Sequence, residues 1–259
     1  MSNNNFNKTL IFAHRGANRE AAENTRAAFD KALLYTIDGI ETDVQLTRDE
    51  VAVLWHDRHT DNLGHPGKHI DDFDFVELEA MNFAGQFRSE IQAEGVLSLK
   101  EFITTYRGRC RLQIEIKNRE WEPVVRHQIK IKQTLDILGS ANDLDVFISS
   151  FHLQSMVFAD QFNTNIPLFY ALDKTQHLTA VEQVLADHHF LAGLCLPIQI
   201  LDKSMMQVLR DQDKKVLTYT CNSNTHIHKA LDLGVDVLIT DDPQKALTMR
   251  ESCNVNFPI

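Results

Sequence analysis

Gly39-Ile40-Glu41-Thr42-Asp43-Val44 decides how this chain is read. Its period is two. Ile40, Thr42 and Val44 share one face of a strand, and Glu41 and Asp43 share the other. Two neighbouring carboxylates on one inward face repel each other, and interior charges are costly unless paired or held by a cation. The same pattern recurs on either side. Leu10-Ile11-Phe12-Ala13 runs into His14-Arg15-Gly16. Leu112-Gln113-Ile114-Glu115-Ile116-Lys117 sets Glu115 and Lys117 on one face, with Ile114 and Ile116 on the other. Each strand-like run thus ends in side chains that carry chemistry.

Further out, apolar β-branched runs begin near Asp145, Ile166, Gly193, Lys215 and Val235, which with those at Leu10, Gly39 and Arg111 makes eight. Helix-period segments alternate with them: Thr25 to Tyr35, Pro123 to Leu138, Leu153 to Phe162, Leu178 to His188, Lys203 to Asp211 and Asn224 to Leu233. A last helix is expected from Pro243, with Asp242 able to cap it. This order predicts an α/β chain folded as a (β/α)8 TIM barrel, whose functional groups stand at the C-terminal strand ends. No G-x-G-x-x-G follows a strand, so a doubly wound sheet lacks its usual signature. One stretch departs from the alternation. Val51 to Trp55 reads as a short extra strand ending at His56. Beyond it, a turn-rich excursion of about residues 57–97 holds a helix near Phe75 to Met81 and too little apolar content for its own core. The chain divides into a flexible Asn-rich arm, 1–9, and one barrel domain, 10–259. The apolar end, Val255 to Ile259, suits docking on a neighbour or on its own barrel.

The 259 residues are 43% hydrophobic and 24% charged, as in ordinary globular proteins. The net charge of -10 comes without a basic stripe, which argues against a nucleic-acid or membrane-surface partner. No apolar stretch nears the ~20 residues of a membrane helix, so no integral membrane segment is expected. Cys110, Cys195, Cys221 and Cys253 are scattered, without a C-x-x-C pair, which suits a reduced, cytoplasmic setting. Cys110 and Cys195 read as strand core.

The chemistry-bearing set is compact. Glu41, Asp43 and Glu115 are all-oxygen donors, suited to one Mg²⁺ or Ca²⁺ rather than zinc. His14 and His56, each following an apolar strand, suit a general acid and base acting together. Arg15 offers a planar fork for phosphate oxygens, and Gly16 permits close backbone approach. This inventory points to metal-dependent phosphodiester chemistry. His59, His65 and His69 match no trusted ligand spacing and read as a solvated polar loop covering the leaving-group side.

The order H-R-G (14–16), E-N-T (23–25), E-x-D (41–43), H-D (56–57) and E-I-K (115–117) resembles the glycerophosphodiester phosphodiesterase family. Ser149-Ser150-Phe151, Gly234-Val235-Asp236 and Ile239-Thr240-Asp241-Asp242-Pro243 extend the resemblance over essentially the whole chain. It implies an enzyme that cleaves small glycerophosphodiesters to glycerol 3-phosphate and an alcohol, the substrate's own hydroxyl attacking phosphorus. Carried over residue by residue, Glu41, Asp43 and Glu115 bind the metal, His14 and His56 exchange protons, and Arg15 and Lys117 hold the phosphate. Glu23 lies near metal and substrate. Tyr219 replaces a Trp that lines the glycerol pocket, and Asn222 matches the family. Ala22 replaces a Pro, and Val96-Leu97-Ser98-Leu99 replaces I-P-T-L. Two rival readings are a lysophospholipase D-type enzyme, with Phe73, Phe75, Phe83 and Phe87 as an apolar mouth, and a non-catalytic barrel binding phosphate metabolites.

Overall fold

The period-two runs become strands and the 3.6-period segments become helices. The computed structural model describes residues 9–85, 87, 92–119, 122–142, 145–162 and 164–255. The first elements are β1 (Leu10–His14), α1 (Arg26–Leu33), β2 (Gly39–Leu46), β3 (Ala52–Leu54), α2 (Phe75–Glu79) and α3 (Leu99–Tyr106). Then come β4 (Arg111–Ile116), α4 (Val124–Leu138), β5 (Val146–Ser150), α5 (Leu153–Gln161), β6 (Leu168–Ala171) and α6 (Leu178–Asp187). The chain ends with β7 (Gly193–Pro197), α7 (Lys203–Asp211), β8 (Lys215–Tyr219), α8 (Asn224–Leu233), β9 (Val237–Thr240) and α9 (Pro243–Val255).

β1 pairs in parallel with both β2 and β9, so the sheet closes through β8, β7, β6, β5 and β4 into an eight-stranded (β/α)8 barrel. β3 lies outside the ring, antiparallel on β2. Strand alternation sorts side chains as the sequence indicates. Ile40, Val44, Ile114 and Ile116 face the helices in the main core. Phe12, Phe147, Phe169, Leu217 and Val237 plug the barrel interior. Gly39 is needed there, because a Cβ would lie 2.3 Å from the Phe12 ring.

Three sequence expectations need correction. α3 was not anticipated, although Ser98-Leu99-Lys100-Glu101 is a capping signature: the Ser98 hydroxyl accepts from the Glu101 N–H at 3.2 Å. That gives the unusual Val96-Leu97-Ser98-Leu99 stretch a role, and the Leu97 carbonyl also takes the Leu54 N–H at 2.9 Å. The excursion does build a small core, since Ile70, Leu78, Phe83 and Val96 pack on Val53 and Trp55 of the β3 segment. Thr9, placed in the loose arm, is buried, its hydroxyl donating to the Val235 carbonyl at 2.8 Å. Arg250 of α9 donates to the Thr9 carbonyl at 2.9 Å and pairs with Asp38, tying the residue ahead of β1 to α9. Residues 1–8 of the arm and 256–259 of the apolar end lie outside the described residues.

Candidate active site

Glu41 and Asp43 project from the middle of β2, and Glu115 projects from β4 directly opposite Asp43 in the register. One oxygen of each lies within 4.8 Å of the others. Glu41 and Asp43 are 2% and 0% exposed, and Glu41 Oε1 is buried without a hydrogen-bond partner. Burial and repulsion from Asp43 and Glu115 push the Glu41 carboxyl well above its ordinary range. Asp43 moves the other way: burial opposes its charge, but Lys117 and Arg15 outweigh burial and hold it below the usual range. Lys117 Nζ sits 3.0 Å from Asp43 Oδ1 and also pairs with Glu115. Arg15 Nε is 3.1 Å from Asp43 Oδ2.

The turn after β1 aims Arg15. Its φ of +56° is uncommon for a residue with a side chain, and backbone strain of this kind collects at functional sites. Its N–H donates to the Glu41 carbonyl at 2.8 Å. Gly16 (φ +84°) packs so tightly on α1 that a Cβ would fall 2.6 Å from the Ala28 backbone. Glu23 accepts from Arg15 Nη1 at 3.0 Å with both oxygens, so its placement makes it first a partner of Arg15. The adjacent Asn24 carries a role the sequence reading left blank. Its Nδ2 donates to Asp43 Oδ2 at 3.0 Å, and its Oδ1 accepts the Thr42 hydroxyl at 2.7 Å.

Each histidine has a carboxylate on Nδ1. His14 donates to Asp241 Oδ1 at 2.6 Å, and His56 donates to Asp57 Oδ1 at 2.9 Å. Asp241, just beyond β9, also receives Asn18 Nδ2 at 2.8 Å and the Asn222 amide. These bonds hold its carboxyl below the usual range although burial opposes the charge. Sequence reasoning gave Asp241 and Asn222 no roles.

His14, Arg15, Glu41, His56, Glu115, Lys117 and Tyr219 all line one cavity of about 210 Å³ in the barrel mouth. Tyr219 presents its ring, edge-on to Phe151 at 5.5 Å between centroids, while its hydroxyl donates to the Leu172 carbonyl. Tyr219→Phe should therefore leave KM within about twofold and lower stability by about 1 kcal/mol, read by steady-state kinetics and a thermal melt. A large KM change would mean that the hydroxyl touches substrate. A second cleft adjoins this cavity and shares Arg15 and His56. Glu23, Trp55, Asp57 and Phe83 line it with Phe87, so only two of the four expected phenylalanines reach the mouth. Phe73 and Phe75 pack against the excursion's own core. The three loop histidines do not gather at one point: the His59 and His69 rings meet edge-on at 4.5 Å, and His65 meets the Phe73 ring instead.

The model of the glycerophosphoryl diester phosphodiesterase family matches residues 14–245. The chain belongs to this family. A Bacillus altitudinis glycerophosphodiester phosphodiesterase is 30% identical over 254 residues, covering 94% of this chain and 98% of that protein. The structure of an Oleispira antarctica phosphodiesterase in complex with the product sn-glycerol-3-phosphate matches with a TM-score of 0.83 at 25% identity, over 93% of this chain and 96% of that one. An Agrobacterium tumefaciens glycerophosphodiester phosphodiesterase matches with a TM-score of 0.76 at 24% identity, over 93% and 99% of the two chains, and supports the barrel fold. The expected family, fold and phosphodiesterase enzyme class are thereby met. Among the described residues no helix is long and apolar enough to cross a membrane.

Proposed function

We propose that this phosphodiesterase-family member hydrolyses glycerophosphodiesters to glycerol 3-phosphate and an alcohol, with one divalent cation at Glu41, Asp43 and Glu115. The carrying observation is the buried carboxylate triad with its unpartnered Glu41 Oε1. Three carboxylates without sulfur or imidazole among them fit a hard cation, Mg²⁺ or Ca²⁺. Once bound, such an ion stabilises charge on phosphoryl oxygens.

The other tasks fall to the chain's own groups. Arg15 and Lys117 flank Asp43 and line the cavity, where their fixed positive charge suits the phosphate anion. His14 and His56 take and deliver protons, each with Nδ1 anchored on a carboxylate so that Nε2 is the working nitrogen. The shared position of Arg15 and His56 between two cavities supports a phosphate at the junction, glycerol in the barrel mouth and the alcohol in the cleft under the excursion. The product bound by the Oleispira antarctica relative supports the same product here. Four unpaired cysteines accord with a cytoplasmic setting.

The test is glycerol 3-phosphate release from glycerophosphocholine. Activity should vanish in EDTA and return with Mg²⁺ or Ca²⁺. Turnover indifferent to EDTA would remove the cation from the reading, and no release with any metal would move the substrate elsewhere.

A further inference from the structure

His14 and His56 are matched in chemistry but not in how the chain holds them. His14 closes β1 and lies within the sheet's ladder, beside Glu41 in the β1–β2 register. His56 lies two residues beyond the end of β3, a strand of three residues outside the ring. Its ring is 33% exposed, and its carboxylate partner, Asp57, is the next residue in the chain. A bond between chain neighbours sets the ring's angle on its turn. It does not set the turn's place on the barrel.

Gln45 does that. It stands on β2 two residues after Asp43 and is 7% exposed. By strand alternation it continues the row of Glu41 and Asp43. Its Nε2 donates to the carbonyls of Trp55 at 2.9 Å, His56 at 3.3 Å and Asp57 at 2.9 Å. Three carbonyl oxygens around one atom demand a donor, which fixes the end of the amide that faces them. A backbone bond reinforces the hold, from the Trp55 N–H to the Asp43 carbonyl at 3.2 Å. Glu41, Asp43 and Gln45 thus follow one another along β2 at steps of about 6–7 Å. One strand sets both where the carboxylates stand and where the turn bearing His56 stands.

We propose that Gln45 is a positioning residue for His56, its amide gripping three successive carbonyls so that the turn bearing this imidazole keeps its place relative to the carboxylates on the same strand. The proton-transfer role of His56 is that of the phosphodiesterase reading above, on which the proposal rests. Gln45 is absent from the lining of both cavities, so it acts on the reaction through the turn. Misplacing a reacting group by ~1 Å costs on the order of 100-fold in rate, and the groups that hold the substrate are untouched.

The experiment uses Gln45→Met, which keeps the side chain's length and removes its donors. On glycerophosphocholine kcat should fall by about 10- to 100-fold with KM within about twofold, and the thermal shift given by Mg²⁺ or Ca²⁺ should remain. A general loosening of the barrel would move KM and the cation shift as well. On a His56→Ala background the same substitution should cost less than about twofold, because no imidazole is left to place. Gln45→Glu, equal in size and without a donor when ionised, takes its place if the first variant does not fold. Hydrogen exchange at the Trp55 amide reads the tether without turnover and should quicken by about 10-fold in the variant. A folded variant with wild-type kcat, with a loss that multiplies with that of His56→Ala, or with wild-type exchange at Trp55 overturns the proposal. A wild type that cleaves no glycerophosphocholine with any metal overturns the phosphodiesterase reading, and faster exchange at Trp55 in the variant then still supports the hold of Gln45 on the turn.

Discussion

Glu41→Gln should melt at a higher temperature than the wild type when both are metal-free, and should lose the further rise that Mg²⁺ or Ca²⁺ gives the wild type. The two effects have one cause. Without a cation, Glu41 brings a buried charge within reach of Asp43 and Glu115, and burial and repulsion hold its carboxyl well above the ordinary range. A carboxyl raised in this way destabilises the fold as pH climbs. Above the unfolded chain's value near 4.5, the unfolded state has released a proton that the folded state still holds. Metal-free wild-type stability should therefore fall as pH rises through that window, and the fall should flatten in Glu41→Gln. Asp43, whose carboxyl is lowered, acts only below its ordinary 3.8, at the acid end. With cation at a hundredfold excess over its Kd, the wild type gains about 2.7 kcal/mol, or roughly 5–10 °C for a chain of this size. Glu41→Gln, short of one anionic ligand, should show little shift at that concentration. Differential scanning calorimetry across pH 5–9, with and without cation, reads both effects. A metal-free Glu41→Gln that melts lower, or one whose cation-induced shift equals that of the wild type, would remove Glu41 from the metal site.

The barrel was readable because its signal is local. Ile40, Thr42 and Val44 against Glu41 and Asp43 declare strand, inward face and strand end within six residues. The ring then follows from eight such units, and the closure through β1, β2 and β9 agrees with it. What escaped detection depends on contacts between distant segments. Asp241 lies 227 residues from the His14 that it holds, and in the sequence its neighbour Asp242 is the aspartate placed to cap the helix from Pro243. Asn24 stands in the sequence only as the middle of E-N-T, and it is the fold that brings it to Asp43. α3 differs in kind, since Ser98 and Glu101 announce it locally through an ordinary helix cap.

His14→Ala should lower kcat by about 10²- to 10⁴-fold, the usual worth of a positioned proton carrier, while keeping the cation-induced thermal shift. The shift survives because His14 lies beside the carboxylate triad without belonging to it, with Nε2 3.9 Å from Glu41 Oε2. Asp241→Asn tests how the ring is held. In the wild type Asp241 accepts from His14, Asn18 and the Asn222 amide, and its own N–H donates to Asn222 Oδ1 at 2.9 Å. Three donors converging on two oxygens require an ionised carboxylate. An asparagine must turn its NH₂ toward at least one of them, so it either frees the imidazole or breaks an amide contact. Asp241→Asn should then lose about 10- to 100-fold in kcat with KM little changed, as expected when the ring's tautomer and aim are no longer enforced. The double variant decides between positioning and an independent role. If Asp241 acts only through His14, then His14→Ala/Asp241→Asn should be no slower than His14→Ala alone. Multiplicative losses would mean that Asp241 contributes by another route, and unchanged kcat in Asp241→Asn would mean that the 2.6 Å contact has no part in turnover.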